Sequence, residues 1–200
     1  GAWPLLNQRP FDIMPSTEEI PRDIFISTFD TAPLAPDNDI IVKGNEAAFA
    51  KGIEVLSHLT TGRVHLGLDG KKDIPNPAFQ VEHAEKHYFA GPHPSGNVGI
   101  QIHHIAPIGI DDMVWTTTLQ NVITIGKLFT EKKYDATRIV ALTGAELKEP
   151  KYVRTYQGAN IGELLSGNLD NDHVRFVSGD VLSGKEDTTD DFLTFNDDQI

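Results

Sequence analysis

Between Phe89 and Ile108 the chain reads FAGPHPSGNVGIQIHHIAPI, and Gly91, Pro92, Pro94, Gly96 and Gly99 crowd into nine of those residues. Proline fixes φ and removes a donor, whereas glycine permits positive φ and close backbone approach. So many of both predict a tightly specified turn that runs into a short helix. Such a turn has two readings. It can cradle phosphate at a helix N-terminus, or it can be a rigid structural turn, because Gly/Pro clusters are mostly punctuation. His93 lies inside it, and His103 and His104 follow on the helix. Adjacent helical residues point about 100° apart, so this pair does not readily chelate one ion. His93 is expected to pack in the turn and one of the pair to make a buried hydrogen bond.

The segment His83-Ala-Glu-Lys-His87 offers a second chemistry. In an extended chain His83, Glu85 and His87 share one face, which is three possible zinc ligands at period two. A solvated polar face beside buried Phe79 and Val81 is the commoner arrangement, and no residue here is assigned as a metal ligand. Hydrolytic chemistry has no support: Ser178-Gly-Asp and Ser183-Gly-Lys lack the strained nucleophile context. The pairs Glu18-Glu19, Asp190-Asp191 and Asp197-Asp198 lie in polar runs. Asp180 and the acidic residues 186–190 lack the spacing of an EF-hand loop and read as a charged surface loop.

Composition narrows the classes. Seventeen basic residues against 29 acidic ones give a net charge of −12, which argues against binding a nucleic-acid backbone. Zero cysteines exclude disulfides, thiolate zinc sites and cysteine-ligated iron–sulfur clusters within these 200 residues. No run approaches the roughly 18 apolar residues of a spanning helix. The chain is therefore expected to be soluble, with any membrane association made through partners.

Periodicity then supplies the elements that position these residues. Asp23 to Phe29 alternates as a strand, Thr31 to Asp39 is a Pro-rich loop, and Asn45 is a candidate N-cap. Phe49, Gly52, Ile53, Leu56 and Leu59 recur at helical spacing, with Gly62 as a left-handed stop. Arg63 to Leu68 alternates again, so strand, helix and strand predict a parallel βαβ unit. A strand over Phe79 to Phe89 should precede the Gly/Pro turn. Asp111 or Asp112 should cap a helix whose inward face holds Trp115, Leu119, Val122, Ile123, Gly126 and Phe129. Thr137 to Leu142 is a further strand. The composition shifts at Glu149-Pro150, so residues 1–149 read as one α/β domain. Residues 150–200 read as a small β-grasp-like module, with strands at Tyr152 to Tyr156 and His173 to Val177, a helix at Ile161 to Leu165 and a hairpin at Ser178 to Gly184.

GPHPSGNVGIQIHHIAP resembles the GPHPAGxxGTHIHxxxP signature of the A subunit of the sodium-translocating NADH:quinone reductase. Further blocks resemble that family in the same order: RPF (Arg9 to Phe11), FDTAPLAPD (Phe29 to Asp37), FAKGIEVLSHLTTGRVHLG (Phe49 to Gly67), RTYQGANIGELLSG (Arg154 to Gly167) and SGDVLSG (Ser178 to Gly184). The resemblance implies a Rossmann-like parallel-sheet domain followed by a partial β-grasp, soluble-ligand-binding module, with an N-terminal domain and a C-terminal portion outside this chain. In the related flavin-binding folds a Gly-rich loop admits flavin phosphate. The corresponding segment here, Gly1 to Phe11, keeps only Gly1, which implies a nucleotide fold that has lost its nucleotide. Asp30 stands where a ribose-binding carboxylate would fall, although an Asx turn opening the Pro-rich loop explains it better.

The resemblance further implies a peripheral subunit on the cytoplasmic face of the bacterial inner membrane. Its partners would be the other subunits, one of them membrane-embedded, and they would carry FMN, FAD and iron–sulfur. Quinone would be the substrate of the complex, and this chain would bind no cofactor of its own. Arg9, Phe11, Asp30, Gly91, His93, Gly96 and Gly99 are the expected quinone pocket, with His93 and Arg9 as donors. A docking subunit without a ligand is the alternative.

Overall fold

The computed structural model describes residues 1–171 and 173–200, in two units: Gly1–Thr31 with Asp37–Asp135, and Ala32–Pro36 with Ala136–Ile200. The first unit carries a five-stranded sheet made of β1 (Asn7–Arg9), β2 (Ile24–Ser27), β3 (Val64–Asp69), β4 (Ala84–Phe89) and β5 (Val114–Thr116). Their order is β1-β5-β2-β3-β4. The last four run parallel, and β1 pairs antiparallel with β5 at one edge. Chain order therefore reverses at β2, the doubly wound arrangement, with its switch point between β2 and β5.

Right-handed crossovers in opposite directions place their helices on opposite faces. Between β2 and β3 run α1 (Asn38–Val42) and α2 (Glu46–Ser57); α3 (Val98–Ile105) joins β4 to β5, and α4 (Leu119–Glu131) follows β5. Strand alternation sorts the side chains. Phe25 clusters with Ile102 of α3 and with Val114. Ile24, Ile26, Val64, Leu66 and Leu68 turn to the other face and are buried, as are Phe49, Ile53 and Leu56 of α2 and Val122 of α4. Helices α2 and α4 touch backbone to backbone. A Cβ on Gly52 would lie 2.1 Å from Val122 O, and one on Gly126 would lie 1.7 Å from Ala48 O.

Several expectations are corrected. The strand before the Gly/Pro turn starts only at Ala84, because Pro77–Phe79 form a 3-10 turn capped by Asn76. Trp115 belongs to β5, where it pairs with Gln8. Helix α4 starts later, with Thr118 Oγ1 accepting from Asn121 N, and Asp112 instead binds Arg22. Phe129 is 57% exposed, at the start of the exposed stretch that ends α4. Asn45 holds the N-cap position of α2, but its Nδ2 donates to Ile41 O and no cap bond forms. Within the Pro-rich loop, α1 begins under an Asp37 cap. Helix α2 ends at Ser57, and Gly62 serves close packing instead: a Cβ there would lie 2.2 Å from Arg22 O.

In the second unit β6 (Thr137–Leu142) pairs antiparallel with β7 (Lys151–Tyr156), from Thr137↔Tyr156 to Leu142↔Lys151. That register takes β6 away from the parallel sheet. It also moves the division of the chain to Asp135–Ala136, ahead of the expected Glu149-Pro150. A second pair, β8 (Phe176–Ser178) with β9 (Lys185–Asp187), flanks the hairpin around Asp180. Between the two pairs lies α5 (Ile161–Leu165). Val140, Leu142, Leu147, Ile161, Leu165, Leu193 and Ile200 form this unit's core.

Candidate functional site

The Gly/Pro turn leaves the carboxyl end of β4 and meets the loop that follows β2. Ser95 N donates to Pro92 O at 3.0 Å and Asn97 N to Pro94 O at 2.8 Å, so the turn closes on itself. Asn97 then caps α3, its Oδ1 accepting from Gly99 N at 2.8 Å. Gly96 N donates to Thr31 Oγ1 at 3.1 Å, and that hydroxyl lies 3.2 Å from His93 Nδ1. Gly96 is buried against the second loop. A Cβ there would lie 2.8 Å from Thr31 N and 2.9 Å from Asp30 Cα. Close approach, not positive φ, is what demands glycine, and neither Gly96 nor Gly99 has a positive φ.

A buried residue that sequence reasoning missed ties this corner together. Gln101 Nε2 donates to Ser27 Oγ at 2.9 Å and to Ser95 O at 3.3 Å. Its amide lies over Gly67, where a Cβ would come within 2.0 Å of Oε1. The available signal was a glycine inside strand β3 facing a lone amide on an otherwise apolar helix turn.

The expected pocket is brought together only in part. Asp30, His93 and Gly96 adjoin, with Gly91 and Gly99 flanking them, and both Asp30 and His93 are exposed. Arg9 is elsewhere. It pairs with Val114 at the amino end of β5, one residue before the Ile24↔Trp115 pair, whereas Thr31 follows the carboxyl end of β2. At about 3.3 Å per residue, those strand ends are more than 10 Å apart. Arg9 and His93 therefore do not stand side by side. Phe11, past β1, is 75% exposed. His103 and His104 are both exposed as well, so neither makes the buried bond expected of them.

The segment Gly1 to Phe11 is an edge, not a loop between strand and helix. Trp3–Leu5 form a 3-10 turn ahead of β1, Leu5 and Leu6 are buried, and Trp3 stands edge-on to Trp115 at 5.5 Å. In a doubly wound sheet the phosphate loop joins the first parallel strand to its helix. Here that connection is residues 28–37, which contain no glycine.

A second polar group occupies the α3 face of β3 and β4. His65 Nδ1 lies 3.0 Å from His87 Nε2, and His65 Nε2 lies 3.5 Å from Asp23 Oδ1. Glu85 Oε1 is 4.0 Å from His87 Nε2, while Arg63 Nη1 donates to Glu85 Oε2 at 2.5 Å. His83, the expected third member, precedes β4 at φ 62° and is not part of the group. Burial pushes the His65 imidazole below its usual value, against the pull of Asp23. Burial alone would raise the Asp23 carboxyl. Hydrogen bonds from Arg63 N and Arg22 and the nearby His65 outweigh it and hold Asp23 low.

In the second unit a cavity of about 170 Å³ is walled by Leu147, Leu165, Leu169, Phe176 and Ile200, with Arg175 and Gln199 among its polar groups. Among the described residues no helix is long and apolar enough to cross a membrane.

Residues 1–134 match the family described as the NqrA second alpha/beta domain, and residues 139–188 match the NQRA C-terminal domain. Over 184 residues the chain is 42% identical to the A subunit of the Na(+)-translocating NADH-quinone reductase of Alcanivorax borkumensis. Its counterpart in Pasteurella multocida is 40% identical, and that in Neisseria meningitidis serogroup B is 38% identical. Each alignment covers 92% of this chain and 41% of the relative. The chain thus spans about two fifths of the length of the curated relatives it matches.

Proposed function

The chain belongs to the family of A subunits of the sodium-translocating NADH-quinone reductases, and from that premise we propose that it is a peripheral, quinone-binding part of such a complex. NADH oxidation and sodium movement, with FMN, FAD and iron–sulfur, fall to partner subunits, one of them embedded in the membrane. Its place is the cytoplasmic face of a bacterial inner membrane.

The observation that carries the quinone reading is the cavity of the second unit. A quinone head needs an apolar slot and one or two donors. An apolar cavity of about 150 Å³ already accepts a benzene ring. Here about 170 Å³ is walled by Leu165, Leu169, Phe176 and Ile200, with Arg175 and Gln199 present as donors. The competing position is the Gly/Pro turn, with Asp30, Gly91, His93, Gly96 and Gly99. His93 supplies a donor there, but Pro92, His93 and Pro94 are exposed.

Calorimetric titration of the purified chain with ubiquinone-1 tests the assignment. Leu169→Trp, which fills the cavity, should abolish binding, and His93→Ala should leave it unchanged. The reverse pattern moves the quinone to the turn. Absence of binding in the unaltered chain leaves the second reading, a docking subunit without a ligand. That reading has its own support in the apolar exposure of Phe11, Ile13, Met14 and Ile20 near the N-terminal edge.

A further inference from the structure

We propose that His65, Glu85 and His87 form a zinc-binding site on the α3 face of the parallel sheet, independent of any quinone site. Parallel pairing sets His65 opposite Glu85 and puts His87 two residues further along β4, opposite Gly67. Alternation along a strand sends residues two apart to the same face. The three side chains therefore converge from neighbouring strands, and their ligand atoms all lie within 4.8 Å of one another.

The distances suit a tetrahedral ion. Zinc bonds of about 2.0–2.1 Å to nitrogen and oxygen place neighbouring ligand atoms roughly 3.3 Å apart. His65 Nδ1 and His87 Nε2 are 3.0 Å apart, and Glu85 Oε1 is 4.0 Å from His87 Nε2. A small rotation of the exposed Glu85 side chain closes the difference. Arg63 holds the other carboxylate oxygen, Oε2, so Oε1 remains directed at the histidines.

The orientation of His65 is fixed by what surrounds it. Its ring stacks on Phe25 at 4.6 Å and 21°. Asp23 Oδ1, itself accepting from Arg63 N at 3.0 Å, lies 3.5 Å from His65 Nε2 and favours the proton on that nitrogen. Nδ1 is then left with its lone pair turned to His87. A carboxylate behind a histidine in this way fixes the tautomer and raises the basicity of metal-ligating imidazoles. His65 is buried, His87 half-buried and Glu85 exposed, so the group opens to solvent on one side. Two histidines and one carboxylate with an open fourth position make a site that retains water on the ion, unlike a closed structural one. Zinc would replace the proton that the two imidazoles otherwise share.

The test is calorimetric titration of the chelator-treated chain with zinc chloride, together with cobalt(II) substitution read as visible d–d absorption. One ion per chain and the absorption of tetrahedral cobalt are expected. Glu85→Gln and His87→Gln, each with an unchanged melting temperature, should weaken binding at least tenfold. His83→Gln and the double change at His103 and His104 should not. Absence of saturable one-to-one uptake overturns the site. So does uptake that survives His87→Gln, or that is lost in His83→Gln.

Discussion

At the scale of the residue, glycine at two neighbouring positions serves different ends. Gly96 is buried where a Cβ would press on the backbone of Asp30 and Thr31, and backbone cannot swing aside as a side-chain tip can. Gly99, on the first turn of α3, would place a Cβ 3.2 Å from Asn97 Oδ1 and meet nothing else. Gly96→Ala should therefore destabilise the chain by about 1–3 kcal/mol, the usual cost of overpacking. Gly99→Ala should be near neutral, since the helical preference of alanine offsets slight crowding. Chemical denaturation of both variants checks this, and equal costs would mean that the turn does not press on the β2 loop as described. The density of Gly and Pro in 91–99 made the turn legible from sequence. Which glycine matters, and why, depended on a loop some sixty residues earlier in the chain.

At the scale of the element, local period predicted well wherever one face of a strand or helix is buried. β2, β3, β6, α2 and the body of α4 lie where alternation or helical spacing put them. The misreadings share a cause. Pro77 opened a 3-10 turn inside an apparent strand, and Trp115, compatible with either period, joined a strand whose partner lies a hundred residues upstream. The histidine group shows the limit most clearly: His65 and His87 meet only through the register of β3 on β4, which no local pattern encodes. The hairpin around Asp180 supports a prediction at this scale. Burial works to raise its carboxyl, but Ser183 Oγ, Leu182 N and Ser183 N all donate to it and hold it below its ordinary value of 3.8. A carboxylate depressed in the folded state adds stability that is fully present above that value and is lost as pH falls through the lower, folded one. The Leu182 and Ser183 amide resonances should therefore titrate with a midpoint below 3.8. A midpoint at or above it would show that the three donors do not hold the carboxylate.

At the scale of the whole molecule, the two units should differ in how readily they open. The first has a five-stranded sheet with helices crossing both of its faces. The second relies on two two-stranded sheets, and an isolated pair of strands is marginal in water. Its core cluster borders a cavity beside Leu165 and Ile200, which leaves some of those side chains without packing partners. Against this, the chain end adds support: Ala141 N donates to Asp198 O and Ile200 N to Ala141 O, a short parallel addition beside β6. On balance the amides of Val140 and Leu142 should exchange faster with solvent than those of Ile26 and Leu66 under native conditions. Equal protection would mean that the chain end and the core cluster suffice. The same measurement bears on function, because a ligand that binds only the folded state protects the region it holds by mass action. If quinone occupies the cavity, ubiquinone-1 should slow exchange at Val140 and Leu142 while leaving Ile26 and Leu66 as they were. Slowing confined to Ile26 and Leu66 would instead tie the quinone to the first unit, which carries the Gly/Pro turn.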